Sequence, residues 1–558
     1  MKTQRPWLIA AVATLLVGMP VLAGGDTEDE RTGFDKMSKP VQALAKSGGA
    51  DFVDVIITFK KKPGRADDDG IKGSNGKVKR NFGVFKMRAV RVPAQRLEAL
   101  AKHPNVEFIV RDAPVASLSA SALATANLPA DPVDYGIVSM GVGVAVIDSG
   151  VGYHVDLWPA PQQFDFVGQA GNPQYGVYDT WGHGTHVSGL IAGDGYDSSG
   201  SFRGVAPYAD LLSLRVLDSS GMGVTSDVIA ALEWLLVNAS AYNIKVANLS
   251  LGKAVEEAAA DDPLVQAVEA VWDAGIVVVC SAGNYGRDGH ATITSPGNSP
   301  KVITVGSVTD GGTTDTSDDY ISTYSSMGPT AFDHFLKPDL VAPGNRFVAS
   351  MSYEAQLKAN LADRLVDCGN ASCSGSYFEL SGTSMAAAMV SGAAALMIDQ
   401  DSTLTPDTVK ARLMRSARKI DGDPTSTGAG VLDIVAALTE SGTLASAPSP
   451  KMARSEEGAV ILVEDTSQLW GDTQWGASFI WSDSFIWSDS FIWSDGYIWS
   501  DSFIWSDSYI WSDSFIWSDS YIWSDSYIWS DSFIWSDTVT NDDPLFEVNA
   551  QGLVIDDD

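Results

Sequence analysis

Short apolar runs and amphipathic stretches alternate along the middle of the chain. Val142–Ile147, Leu211–Val216, Val246–Leu251, Ile276–Cys280 and Val302–Val305 are nearly uninterrupted apolar runs, the pattern of strands buried on both faces. Between them, Ser226–Val237 and Pro263–Asp273 read as helices. This alternation over residues 140–440 predicts an α/β fold, a mostly parallel sheet with helices on both faces. Upstream, Asp54–Phe59, Phe82–Val92 and Val106–Val110 read as strands, and Pro93–Lys102 reads as a helix with Pro near its first turn. They form a small α+β module over 51–115, behind a Gly- and charge-rich leader reaching to about residue 50.

The pattern changes after Glu440. A Pro/Ser-containing linker is expected over 441–477, then one hexapeptide, Ser-(Phe/Tyr)-Ile-Trp-Ser-Asp, recurs ten times over 478–537, with Gly496 in place of one Ser. A helix would scatter its Trp over three faces. A period of six is a multiple of the strand period, so the repeats are expected to be β-structured, with turns at Ser-Asp-Ser. An acidic tail, 538–558, closes the chain.

Composition adds limits. A chain of 558 residues with 45% hydrophobic residues has room for several globular units. Its 70 acidic residues against 37 basic ones leave a net charge of −33, a poor basis for nucleic-acid binding, which needs Lys and Arg to neutralise phosphates. Most of that excess lies beyond residue 450, where Lys451 and Arg454 face 21 acidic side chains. Ten Trp within the repeats are too much aromatic surface to leave in water, so this tail is expected to stack on itself or to attach to a surface.

Residues 1–23 read as an export signal. Lys2 and Arg5 precede the apolar run Trp7–Val17, and Val21-Leu22-Ala23 offers a small-residue cleavage site. No later run of 18 apolar residues suggests a membrane span, so a secreted, extracellular protein is expected. Among three cysteines, Cys368 and Cys373 flank Gly-Asn-Ala-Ser, a turn-forming tetrapeptide able to bring their sulfurs together, which makes them candidates for a local disulfide. No His stands near them to complete a zinc site. Cys280 ends an apolar run and reads as a buried small hydrophobe.

The chemistry is concentrated in three motifs. Val144-Ala-Val-Ile-Asp148-Ser-Gly-Val151 ends a buried strand with a carboxylate at the edge where α/β sheets bind ligands. Trp181-Gly-His183-Gly-Thr-His186-Val-Ser-Gly189 brackets one of only six His with glycines that allow close approach. Ser381-Gly-Thr-Ser384-Met-Ala-Ala-Ala-Met389 sets a hydroxyl at the start of a small-residue helix, where backbone N–H groups can stabilise an oxyanion. Each alone has a bland explanation as a cap, turn or structural hydrogen bond. Together, in the order Asp, His, Ser, they fit a nucleophilic triad.

Residues 132–440 resemble the subtilases, the subtilisin-like serine proteases. The resemblance implies Asp148, His183 and Ser384 as triad, with Ser384 as nucleophile, His183 as base and Asp148 orienting the imidazole. Val277-Val-Val-Cys-Ser281-Ala282-Gly283-Asn284 looks like the family's oxyanion segment, with Asn284 a donor and Ser281, Ala282 and Gly283 lining the substrate pocket. Asn248-Leu-Ser250-Leu251-Gly252 is similar to the strand that pairs with substrate. Ala388 departs from the family, which usually has Pro there, and removes no catalytic group. Residues 50–115 are similar in strand order and position to the family's inhibitory propeptide.

The expectation is therefore a secreted endopeptidase made as a self-processing proenzyme and acting on proteins or peptides. No cofactor is needed for catalysis. Calcium is common in the family, but no loop here supplies a ligand set that can be named. The rival reading is an inactive subtilase fold used for adhesion through the Trp-rich repeat. A lipase or esterase is disfavoured, since no Gly-x-Ser-x-Gly elbow surrounds Ser384.

Overall fold

The computed structural model describes residues 33–117, 126–127, 141–168, 174–175, 178–311, 316–366, 377–454, 460–463, 497–498 and 504–505. The export segment, Cys368, Cys373, the acidic tail and nearly all of the hexapeptide repeats lie outside them. Within the repeats, Tyr497–Ile498 and Ile504–Trp505 pair as two short antiparallel strands.

Residues 33–117 form an α+β unit. In order come α1 (Lys39–Ser47), β1 (Phe52–Phe59), α2 (Arg65–Gly73), β2 (Lys77–Asn81), β3 (Met87–Pro93), α3 (Leu97–Ala101) and β4 (Val106–Arg111), followed by a short strand β5 (Pro114–Ser117). The sheet order is β2-β3-β1-β4, antiparallel throughout. β1 is apolar on both faces because both are covered. Val55, Ile57 and Phe59 pack with Val41 of α1 and Leu97 of α3, while Ile56 joins the core of the larger unit behind.

Two expectations are corrected here. The leader is folded from Gly33 onward, and Val41 on α1 is fully buried. Phe82–Val92 is not one strand, since β3 begins only at Met87. Phe82 and Phe85 precede it in a turn and are apolar because they pack against the second unit.

That second unit holds a nine-stranded sheet. Its strands are β6 (Gly143–Asp148), β7 (Gln162–Asp165), β8 (Gln174–Tyr175), β9 (Asp210–Arg215), β11 (Ile244–Leu249), β13 (Val277–Ser281), β14 (Ile303–Thr309), β15 (Tyr320–Ile321) and β16 (Leu340–Pro343). The order is β15-β14-β13-β11-β6-β9-β7-β8, with β16 also paired to β14. All pairs are parallel except those of edge strands β8 and β15. Helices α4 (His183–Ala192), α5 (Thr225–Asn238), α6 (Pro263–Asp273), α7 (Gln356–Asn360), α8 (Thr383–Gln400) and α9 (Pro406–Ser416) complete the main body. From Thr383 to Ile398 every residue of α8 is buried, as a helix apolar or small all round must be. Outside the large sheet, β10 (Met222–Val224) and β12 (Leu251–Gly252) flank β5 of the first unit.

The expected linker is also corrected. Leu444, Ala447, Ser449 and Met452 are buried, and the strap they form crosses the larger unit. Asp407 accepts from Ala447 N at 2.7 Å, Pro300 O from Ser449 N at 2.8 Å, and Pro450 O from Leu336 N at 2.9 Å. Beneath it lie two fully buried lysines, Lys337 and Lys410, sharing Asp339 at 2.7 and 3.1 Å. Ser449 Oγ completes this cluster, donating to Asp339 at 2.6 Å. The small side chains of this segment are suited to a shallow groove, which made the sequence look like a separator.

Candidate active site

Asp148 is the last residue of β6, and His183 opens α4. Nδ1 of His183 lies 2.8 and 2.9 Å from the two carboxylate oxygens of Asp148, with both residues fully buried. A carboxylate in that position accepts, so Nδ1 carries the proton and the tautomer is fixed. Ser149 N donates to the same carboxylate at 2.7 Å. Gly184 is required by this approach, because a Cβ there would sit 2.2 Å from the carbonyl oxygen of Gly150.

Asp179 sets the entry into α4, and sequence reading missed it. Its carboxylate accepts from Gly182 N at 2.7 Å, Thr185 N at 2.9 Å and Ser149 Oγ at 2.9 Å. It thereby satisfies the open first turn of α4 and ties it to the loop after Asp148. Burial raises its pKa, against the pull of these donors. The available signal was an Asp a few residues before a Gly-rich helix start.

The other histidines near the motifs are structural. His186 Nε2 donates toward the carbonyls of Phe347 and Phe378, at 3.1 and 3.0 Å. Burial depresses its pKa to about 3, so it is neutral. His154 Nδ1 accepts from Asp156 N at 3.2 Å.

Ser384 occupies the first turn of α8, fully buried. Its Oγ donates to Ser250 O at 3.3 Å, and Ser250 Oγ donates back to Ser384 O at 2.9 Å. Asn248 donates to Ser250 Oγ at 2.9 Å and accepts from Ser391 Oγ at 2.8 Å. These bonds lock α8 to the segment carrying Ser250, Leu251 and Gly252. Asn284 follows β13 and the buried Ser281 and Ala282. Between them Gly283 has φ of +111°, a conformation favouring glycine.

Leu251 and Gly252 form β12, and the chain segment paired with them is β5 of the first unit. The first unit is anchored beside it on α5. Asp112 accepts from Ser226 N at 2.8 Å and Ser226 Oγ at 2.7 Å, capping that helix. Thr225 N and Oγ1 donate to Ala113 O at 2.9 and 2.8 Å. Arg80 pairs with buried Asp227, and Glu233 accepts from Val84 N and Phe85 N.

Cys280 is buried with a free thiol, its pKa pushed up to about 12 by burial. Among the described residues no cluster of three or more His, Cys, Asp or Glu side chains could hold a metal ion, so no calcium ligands are assigned.

Comparison with known proteins fits this geometry. Residues 139–431 match the model of the subtilase family. Serine protease AprX of Bacillus subtilis is 40% identical over 308 residues, 53% of this chain and 66% of that protein. Subtilisin NAT of Bacillus subtilis subsp. natto is 29% identical over 448 residues, 78% of this chain and all of that protein. The fold is similar to that of fervidolysin from Fervidobacterium pennivorans, with a TM-score of 0.54, 21% identity, and 73% and 63% of the two chains covered. With more than half of its residues inside the matched domain, the chain belongs to the subtilase family of serine peptidases.

Proposed function

We propose that the protein is a secreted serine endopeptidase made as a proenzyme that cuts itself. The observation carrying this reading is the buried ion pair of His183 and Asp148 at 2.8 Å, on the same sheet edge as Ser384. Ser384 Oγ attacks the peptide carbonyl, and Nε2 of His183 takes its proton and returns it to the leaving amine. Asp148 holds the ring and stabilises the imidazolium. Asn284 and the N–H groups opening α8 stabilise the developing oxyanion.

Substrates bind as an added strand between β10 and β12, the place now taken by β5. Residues 33–117 thus act as the inhibitory propeptide, blocking the cleft through main-chain pairing and through Asp112 at the head of α5. Secretion rests on residues 1–23 and on relatives such as the extracellular serine proteinase of Thermus sp. (strain Rt41A), 33% identical over 337 residues. Among the described residues no helix is long and apolar enough to cross a membrane.

A fluorophosphonate probe tests the central claim, because it reacts only with an activated serine. The processed protein is expected to be labelled at Ser384, and absence of labelling in folded, processed protein would refute the assignment.

A further inference from the structure

The strand that fills the cleft also has a register. β5 runs antiparallel to β10, with Pro114 opposite Val224, Val115 opposite Gly223 and Ala116 opposite Met222. It runs antiparallel to β12, with Ala116 opposite Gly252 and Ser117 opposite Leu251. In such a central strand, successive residues direct their N–H and C=O alternately to one neighbour and the other.

Two observations fix which residues face which side. Pro114 has no N–H, so Pro114 and Val224 cannot exchange a pair of hydrogen bonds. The carbonyl of Ala113 accepts from Thr225 N, the residue after β10, at 2.9 Å. Ala113, Val115 and Ser117 therefore direct their main-chain groups to the β10 side, and Ala116 directs its groups to Gly252. The next position of β12 in this alternation is Ser250. Ser250 is the residue whose carbonyl accepts from Ser384 Oγ at 3.3 Å. In the sequence, Ser117 is followed by Leu118 and Ser119.

We propose that the bond cut in maturation is Leu118–Ser119, and that the enzyme prefers an aliphatic residue on the carbonyl side of the cleaved bond. This rests on the self-processing reading above. Ser384 Oγ bonds to the Leu118 carbonyl carbon as the C–N bond to Ser119 breaks. The proton taken from Ser384 passes through His183 to the new Ser119 amine. Water then releases Leu118 as a carboxylate and restores the Ser384 hydroxyl. The neighbouring Ser281, Ala282 and Gly283 have small side chains that leave volume for a leucine. A carboxylate in that place would lose its hydration without a partner.

The test is a time course of intact mass on purified full-length precursor, read at the first cut. Complementary fragments ending at Leu118 and starting at Ser119 are expected. Leu118→Met should process within about threefold of the wild-type rate, and Leu118→Asp should slow that cut by at least about tenfold. A first cut at Ser117–Leu118 or at any other bond would overturn the register while leaving self-processing intact. Equal rates for the Asp and Met variants would overturn the aliphatic preference. No cut at any bond, in precursor shown folded by circular dichroism, would overturn self-processing itself.

Discussion

The side-chain oxygen of Asn284 accepts two hydrogen bonds from Thr383, from N and from Oγ1, each at 3.0 Å. The amide nitrogen is therefore turned away from Thr383. It is buried and has no partner. A buried donor left unpaired costs about 1–3 kcal/mol, and a position reserved for a developing oxyanion explains why it is tolerated. Asn284→Ala should lower kcat by about 10²–10³ with little change in KM. Thr383→Val keeps the N–H but removes the hydroxyl, so it should loosen Asn284 and lower kcat by about fivefold at unchanged KM, since one hydrogen bond is worth about 1 kcal/mol. Steady-state kinetics on a short peptide separate these outcomes. A raised KM with unchanged kcat would place Asn284 in ground-state binding.

Ser384→Ala removes the nucleophile and leaves the fold of α8 intact, because alanine suits a buried helix. Peptide hydrolysis should fall by roughly 10⁶-fold. Gel analysis of the purified variant should show the precursor uncut, with the first unit still attached. Normal processing in the variant would mean that another protease performs the cut.

Much of this site was legible in the sequence because each part carries a local signal. Pro263–Asp273 has the same bounds in the structure, since Asp262 caps it through Leu264 N and Pro263 suits its first turn. Asp148, His183 and Ser384 sit at a strand end and two helix starts, each marked by flanking small residues. Asp179 and Thr383 were missed as working groups because their partners, Ser149 and Asn284, lie 30 and 99 residues away along the chain. β5 gave no signal at all, because four residues become a strand only when held between β10 and β12. Phe82 and Phe85 misled because apolar character bought by an interface looks the same as that of a strand.

Lys337 gives the larger unit an alkaline bias. Burial pulls its pKa down to about 7, against the opposing attraction of Asp339. Burial lowers Lys410 as well. The unfolded chain holds both protons up to about pH 10.4. Between pH 7 and that value the unfolded state binds more protons than the folded state, so stability rises with pH. Ordinary carboxylates do not titrate in this window. Melting temperature is expected to rise from pH 7 to 9 and to rise less in Lys337→Met. A fall over that interval in the wild type would contradict a depressed Lys337.

Where the chain can be shortened depends on the strap that follows Glu440. Cutting there would remove buried Leu444, Ala447, Ser449 and Met452. It would also delete the Ser449 hydroxyl from Asp339 and uncover a cluster of two ammonium groups around one carboxylate. Hydrogen bonds to charged groups contribute about 1.5–3 kcal/mol each, and the lost apolar burial adds to that. The chain ended at Glu440 should therefore melt at least about 5 °C lower, or fail to fold. Ending at Ala477 keeps the strap and removes only the repeats and the acidic tail. No residue assigned a catalytic role lies beyond Ser384, so that shorter chain should keep kcat/KM on a short peptide within about threefold. Differential scanning calorimetry and peptide kinetics on the two truncations decide the matter. Equal melting temperatures would show that the strap contributes nothing to stability. A hundredfold loss of kcat/KM in the chain ended at Ala477, with the fold intact, would place the repeats in the active site.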